Sequence, residues 1–189
     1  MSLGIELKFL YEKDSHFNIA NIVTFANISM GLIAMYFIQQ GNFFTAIILA
    51  WIAGGFDILD GKLARKYNLS CEFGIQIDSF ADFISFVVMP AFLLFYALEK
   101  NNGFEVFIVG LVFLYYIISG LRRLIEFNIK SQEGEVVKHF TGVPTPLGAI
   151  LLWVLYLLSS YDLVGNYLIL SFVILIGYLL NSKVKIPHP

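Results

Sequence analysis

Two neighbouring apolar segments of this sequence carry four aspartates, and this combination constrains the fold more than any other feature. The aspartates are Asp57, Asp60, Asp78 and Asp82. An ionised carboxylate at bilayer depth is unfavourable unless it faces a partner or a water-filled cavity. The helices that carry these residues are therefore expected to pack with their acidic faces inward.

Helical periodicity, at about 100° per residue, groups the polar and small residues of this stretch on two faces. The face of the first helix carries Asp57, Asp60, Gly61 and Ala64. The face of the second carries Gly74, Asp78, Asp82 and Ser85. If the two faces meet, four carboxylates converge and their repulsion requires compensation. Oxygen-only ligands favour a hard cation such as Mg²⁺, Mn²⁺ or Ca²⁺ over zinc, which predicts a metal site. The alternative is a set of buried carboxylates paired with lysines inside a transporter.

Composition extends the membrane interpretation to the whole chain. Hydrophobic residues make up 58% of the 189 residues, and the mean hydropathy is +0.77. We predict an all-α polytopic membrane helical bundle forming one domain over residues 1–189. Residues 1–15 suit an interfacial amphipathic segment, with a frayed terminus as the alternative. We expect no cleavable signal peptide, and the single cysteine excludes an intramolecular disulfide.

About six transmembrane helices are predicted from the apolar segments and the turns between them. Their approximate bounds are 16–39, 43–64, 73–98, 104–118, 146–158 and 167–180. Pro90 predicts a kink in the third, and the fourth is expected to continue as a helix through residues 120–128. The last two are short for a span of about 20 residues.

The distribution of basic residues predicts the orientation. Even numbers of spans place both termini on one side, and eleven of the twelve Lys and Arg residues fall on that side. Lys100 alone lies on the other. Because cytoplasmic loops are enriched in Lys and Arg, we expect the acidic stretch to face the cytoplasm of a cell-membrane protein.

The spacing of the acidic stretch also resembles a known signature. It reads Asp57-x2-Asp60-Gly61-x2-Ala64-Arg65-x8-Gly74-x3-Asp78-x3-Asp82. This is similar to the motif of the integral-membrane CDP-alcohol phosphotransferases, which make phospholipids from a cytidine-diphosphate-activated alcohol. All eight positions match.

The resemblance implies an enzyme and assigns roles to its residues. The four aspartates would bind two divalent cations per site, with Asp82 also the general base. Contacts to the CDP group are expected from Asn21, Thr24, Gly61, Ala64, Arg65 and Gly74. In the implied reaction an acceptor hydroxyl attacks the β-phosphorus and CMP leaves. The family also implies a homodimer, and nothing in the sequence suggests nucleic-acid binding.

A second region resembles the phosphatidylserine synthase branch of this family. Residues 120–128 and 140–146 match its paired stretches at Arg122, Phe127, Asn128, Phe140, Gly142, Pro144 and Pro146, whereas Glu126 stands where an arginine is usual. We therefore expect transfer from a CDP-activated lipid, ester or ether, to L-serine. Candidate acceptor contacts are Asn27, Arg122, Arg123 and Lys138. The alternatives are glycerol phosphate or an inositol as acceptor, and a divalent-cation transporter.

Overall fold

A computed structural model describes residues 8–98, 100, 102–132, 139–182 and 185–187. Within them the protein is a bundle of α-helices with one short pair of strands. The helices are α1 (Ile19–Gln39), α2 (Phe43–Lys66), α3 (Glu72–Asp82), α4 (Met89–Ala97), α5 (Gly103–Gln132), α6 (Thr145–Ser160) and α7 (Asn166–Leu180). The strands are β1 (His139–Thr141) and β2 (Lys185–Pro187).

The predicted polytopic membrane helical bundle is confirmed. Among the described residues, four apolar helices are long enough to cross a membrane: Ile19–Gln39, Phe43–Lys66, Glu72–Ala97 and Gly103–Ile129. The other two apolar helices, α6 and α7, have 16 and 15 residues. The six predicted spans thus correspond to four helices of spanning length and two shorter ones. The protein is an integral membrane protein.

Side-chain caps fix where the first three helices begin. The carboxamide oxygen of Asn18 accepts from the backbone N–H of Asn21 at 3.0 Å, so α1 begins at residue 19 rather than at the predicted residue 16. Asn42 caps α2 in the same way. The Cys71 thiol accepts from the N–H of Gly74 at 3.4 Å and caps α3. Each cap satisfies a backbone donor that the first helical turn leaves unpaired.

The third span is irregular near its middle, close to the kink predicted at Pro90. A π-helical segment, Phe83–Val88 (the π segment), separates α3 from α4. Pro90 lies in the first turn of α4, where its missing N–H removes a donor that an uninterrupted helix would use. The helix therefore changes type just before the proline.

The chain divides into two compact units, the first ending at Ser85 and the second beginning at Phe86. In the first unit α1 packs against α2 and α3. Small buried residues, including Ala34, Ala46 and Ala53, let these helices approach closely. The prediction of one domain over residues 1–189 concerns both units and stays a prediction.

In the second unit α4 packs against α6, and α5 packs against α7. Bulky side chains such as Tyr116, Leu152 and Ile169 fill its core. Glycines make room for them: a Cβ at Gly120 would lie 2.5 Å from a methyl carbon of Val87.

Two segments depart from the predicted loops and ends. β1 pairs antiparallel with β2, Phe140 opposite Ile186, within what was predicted as a loop. At the N-terminus, residues 8–11 form a 3₁₀ helix whose Tyr11 ring meets the ring of Tyr67 edge-on at 5.2 Å. The rest of the predicted interfacial segment, residues 1–7, lies outside the described residues.

Candidate active site

A buried threonine of α1 binds Asp60, the second aspartate of α2. The hydroxyl of Thr24 donates to Oδ2 of Asp60 at 2.7 Å, and both side chains are buried. Hydrogen bonds to a charged acceptor are short and strong. Thr24 therefore holds Asp60 in one orientation where water is largely excluded.

Asp57 interacts with side chains of α1 and α3. The carboxamide nitrogen of Asn27, on α1, donates to its Oδ1 at 3.4 Å. Its carboxyl also interacts electrostatically with the carboxyl of Asp82, on α3. Two ionised carboxylates repel each other, so this contact needs a shared proton or a cation nearby.

The structure brings the four motif aspartates together. Asp78 interacts electrostatically with Asp57 and Asp60, and Asp82 interacts with the other three. The two acidic helical faces thus converge, as their spacing predicts. Asp60 is buried, Asp57 and Asp82 are half-buried, and Asp78 is exposed.

This cluster suits a divalent cation by the chemistry of its donors. In the described part of the chain, none of the four aspartates forms an ion pair with Lys or Arg. As placed, no three His, Cys, Asp or Glu side chains among the described residues are arranged to hold a metal ion. The oxygen-only set nevertheless carries like charges that no protein cation offsets, which is the condition that a hard divalent cation relieves. The chemistry of the four donors therefore suits such a cation.

A pocket of about 170 Å³ opens beside the cluster. Two aspartates of the motif, Asp60 and Asp78, line it. It is also lined by all six residues predicted to contact CDP, which are Asn21, Thr24, Gly61, Ala64, Arg65 and Gly74. The six residues chosen from the sequence motif and α1 therefore line the same pocket.

One glycine of the motif, Gly74, lies at a close approach of two helices. A Cβ at Gly74 would lie 3.0 Å from Oδ1 of Asn21, so a side chain there would force the buried Asn21 to shift. A Cβ at Gly61 would lie 3.4 Å from the guanidinium of Arg65, which is an ordinary contact. The packing therefore explains Gly74 and leaves Gly61 without a steric explanation.

Sequence reasoning missed several wall residues and one buried hydroxyl. Ala20, Leu69, Ser70, Cys71 and Ile75 also line the pocket. Ser85 hydrogen-bonds to Asn27 and was noted only as sharing the acidic face. Cys71 could have been recognised from its position just before α3, where a side-chain acceptor is needed to cap the helix.

The candidate acceptor contacts are placed differently from one another. Asn27 is fully buried between Asp57 and Ser85. Arg122 is 66% exposed and pairs with Glu126 at 3.0 Å. Arg123 is 5% exposed, and its Nε donates to the backbone oxygen of Val143 at 3.3 Å. The fourth candidate, Lys138, lies outside the described residues. Their acceptor roles stay predictions.

Comparison with known proteins identifies the family of the chain. Residues 17–180 match the family described as CDP-alcohol phosphatidyltransferase, whose members generally use divalent metal ions. The CDP-diacylglycerol–serine O-phosphatidyltransferase of Methanocaldococcus jannaschii is 38% identical over 170 residues, which cover 89% of this chain and 73% of that protein. The protein of the same description from Helicobacter pylori is 33% identical over 172 residues, covering 89% and 71%.

A third relative is an archaetidylserine synthase from Methanothermobacter thermautotrophicus, 31% identical over 173 residues that cover 89% of this chain and 69% of that protein. The match spans both units of the structure, and the relatives share the identity over most of their length. Together with the four converging carboxylates, these findings show that the chain belongs to the CDP-alcohol phosphatidyltransferase family and is a membrane-embedded transferase.

Proposed function

We propose that this enzyme transfers a phosphatidyl-type group from a CDP-activated lipid to the hydroxyl of L-serine and releases CMP. The observation that carries the proposal is the pocket in which residues suited to a nucleotide diphosphate adjoin four aspartates. The choice of serine is supported by relatives from bacteria and archaea whose descriptions name a serine transferase or an archaetidylserine synthase.

The CDP group of the donor binds in the pocket beside α1 and α2. The Arg65 guanidinium offers a planar pair of donors to a phosphate, which a lysine would not match. Asn21 and Thr24 present an amide and a hydroxyl on the same wall. Gly61, Ala64 and Gly74 keep that wall low enough for the nucleotide to reach the backbone.

Asp57, Asp60 and Asp78 would hold divalent cations, with Asp82 contributing to a second. Bound there, Mg²⁺, Mn²⁺ or Ca²⁺ supplies the positive charge that a diphosphate needs during phosphoryl transfer. The hydrogen bonds from Thr24 and Asn27 orient the carboxylates toward that position.

Asp82 acts as the general base. It lies one helical turn beyond Asp78 on α3 and is only half-buried, so an acceptor hydroxyl can reach it. Its carboxylate takes the proton of the serine hydroxyl as the oxygen attacks the β-phosphorus. The bond from that phosphorus to the bridging oxygen breaks, and the electron pair leaves with CMP.

The serine carboxylate requires one or two basic groups, and the candidates are Arg122, Arg123 and Lys138. Asn27 remains a fourth candidate contact. The site faces the cytoplasm of the cell membrane, as the eleven-to-one distribution of basic residues favours, and the enzyme works as a homodimer.

The test measures CMP release from the purified full-length protein in detergent. CDP-diacylglycerol or its ether analogue is the donor, with Mn²⁺ or Mg²⁺ and with L-serine present or absent. Serine-dependent release that disappears in Asp82→Asn supports both acceptor and base. Release driven instead by glycerol phosphate or an inositol would refute the serine assignment and keep the donor site. No release with any alcohol would contradict the enzymatic proposal as a whole.

A further inference from the structure

A hydrogen-bond chain connects the π segment to the acidic site. The hydroxyl of Ser85 donates to Oδ1 of Asn27 at 2.6 Å, and Nδ2 of Asn27 donates to Oδ1 of Asp57 at 3.4 Å. Asn27 is 0% and Ser85 4% exposed. The bond from Ser85 to Asn27 is therefore shielded from water, and the bond from Asn27 to Asp57 is partly buried.

The direction of this chain follows from the chemistry of its members. An ionised Asp57 can only accept, so the Asn27 amide must turn its nitrogen toward it. This leaves the amide oxygen facing the other way, where a buried acceptor requires a donor. The Ser85 hydroxyl is that donor. Ser85 thereby keeps the amide nitrogen of Asn27, rather than its oxygen, directed at Asp57.

Ser85 differs from other helical serines of the described chain in the partner of its hydroxyl. In four of them the hydroxyl donates to the carbonyl oxygen four residues earlier, which is the common local bond in helices. They are Ser29, Ser79, Ser160 and Ser171. Ser85 donates instead to a side chain of another helix, 58 residues away in sequence.

The local backbone is adapted to this contact. Ser85 lies within the π segment, a helix type that occurs frequently at functional sites. Gly31 of α1 faces it: a Cβ there would lie 2.9 Å from Cγ2 of Ile84 and 3.3 Å from Oγ of Ser85. The absence of a side chain at residue 31 thus allows the π segment to approach α1.

We propose that Ser85 is a positioning residue that orients the Asp57 carboxylate through Asn27 and thereby sets the affinity of the acidic site for its divalent cation. This inference rests on the cation-binding part of the proposed function and is independent of which alcohol accepts the lipid. Residues that orient metal ligands typically change metal affinity or activity by about 10–100-fold when removed.

The consequence of losing the Ser85 hydroxyl is specific. In Ser85→Ala the amide oxygen of Asn27 has no donor, and the amide can rotate to present oxygen to Asp57. The carboxylate is then repelled rather than held. We expect the dissociation constant for Mn²⁺ to rise about tenfold or more.

The experiment titrates Mn²⁺ into the purified full-length protein, with CMP present, and follows free Mn²⁺ by electron paramagnetic resonance. The variants are Ser85→Ala, Asn27→Ala and the double variant. Ser29→Ala is the matched control, because it removes an exposed serine hydroxyl two residues from Asn27 whose bond is local. Kinetics with the CDP-lipid then separate kcat from KM, and thermal unfolding in detergent reports folding.

Weakened Mn²⁺ binding in Ser85→Ala, unchanged binding in Ser29→Ala and a double variant no weaker than Asn27→Ala would support the proposal. The last result is expected because Ser85 acts only through Asn27, so the two effects should not add. Mn²⁺ binding within twofold of wild type in Ser85→Ala, or additive effects in the double variant, would overturn it.

A second variant covers the case in which Ser85→Ala does not fold. Gly31→Ala keeps the hydroxyl but adds a methyl group against Ser85 and Ile84, and it should weaken Mn²⁺ binding in the same direction. Unchanged binding in folded Gly31→Ala would then count against the proposal. Failure of serine-dependent CMP release alongside a Ser85-dependent Mn²⁺ affinity would refute the proposed reaction and leave this inference standing.

Discussion

The two units of the chain bury polar side chains in different ways. In the first, two pairs of buried polar side chains bind each other across helices, Thr24 with Asp60 and Ser85 with Asn27, beside side-chain bonds to local backbone oxygens at its N-terminal end. In the second, the buried Arg123 donates to the backbone oxygen of Val143, and the half-buried Asn181 donates to that of Ser119. The hydroxyl of Tyr116 and the carboxamide oxygen of Asn181 have no hydrogen-bond partner among the described residues.

This difference indicates that the two units are stabilised by different interactions. A connected polar network in an apolar setting is favourable only when its members satisfy one another, and it then fixes one geometry. The first unit has such a network around the carboxylates of Asp57 and Asp60, and it fixes their orientation. The second unit relies on steric fit, with glycines against large side chains. Substitutions in the first unit should therefore change chemistry, and those in the second, apart from the candidate serine contacts Arg122 and Arg123, should change stability.

The largest effect is expected at Asp82, the proposed general base. Asp82→Asn keeps the size of the side chain but cannot take a proton, so kcat for serine-dependent CMP release should fall by about 10²–10⁴-fold. Asp162→Asn is the matched control: Asp162 is exposed and has φ of 51°, a conformation that Asn also tolerates. A loss below tenfold in Asp82→Asn would place the base elsewhere.

The next effect concerns the pocket wall. Arg65→Ala removes a guanidinium from the proposed CDP pocket and should raise KM for the CDP-lipid about 10–100-fold, since hydrogen bonds to charged groups contribute about 1.5–3 kcal/mol each. Lys66 is the next residue on α2 and does not line the pocket. Because solvent screens an exposed charge, KM for the CDP-lipid in Lys66→Ala should stay within about twofold of the wild-type value. Equal effects of the two substitutions would indicate a general charge effect instead.

The second unit should respond in stability rather than in catalysis. Gly120→Ala places a methyl group 2.5 Å from a carbon of Val87, and overpacking of this kind lowers the free energy of unfolding by about 1–3 kcal/mol. Gly110→Ala on the same helix meets nothing within 4 Å and should be neutral or stabilising. Thermal unfolding in detergent measures both. A fall in kcat without loss of stability in Gly120→Ala would contradict the expectation that the second unit affects stability rather than catalysis.

The smallest effect is expected at Arg122. Arg122 pairs with Glu126 one helical turn along α5, where the arginine side chain is exposed. Arg122→Ala should therefore lower the free energy of unfolding by less than about 0.5 kcal/mol. Arg123→Ala removes a buried contact to Val143 and should be the more destabilising of the two. KM for serine, measured for both variants, then sharpens the acceptor assignment: a rise above tenfold identifies the arginine that binds the carboxylate.

Much of the fold and the pocket followed from local patterns. The spacing of apolar residues predicted the helices to within a few residues, because burial in lipid acts on each segment separately. Seven of the eight motif positions fall on two helical faces by periodicity alone. The structure brings the four carboxylates together beside the pocket lined by the six residues expected to contact CDP. Helix ends shifted where a side chain capped the backbone, as Asn18 does for α1.

The tertiary structure decided what depends on the approach of separate helices. Sequence could group Asn27 with the polar face of α1, but its partners lie 30 and 58 residues away and are set by helix packing. The same holds for Arg122 and Arg123, which are adjacent in sequence yet differ in burial because α5 turns one of them toward Val143. Periodicity assigns a residue to a face of its own helix, whereas a hydrogen-bond partner requires the position of the next helix, and only packing provides it.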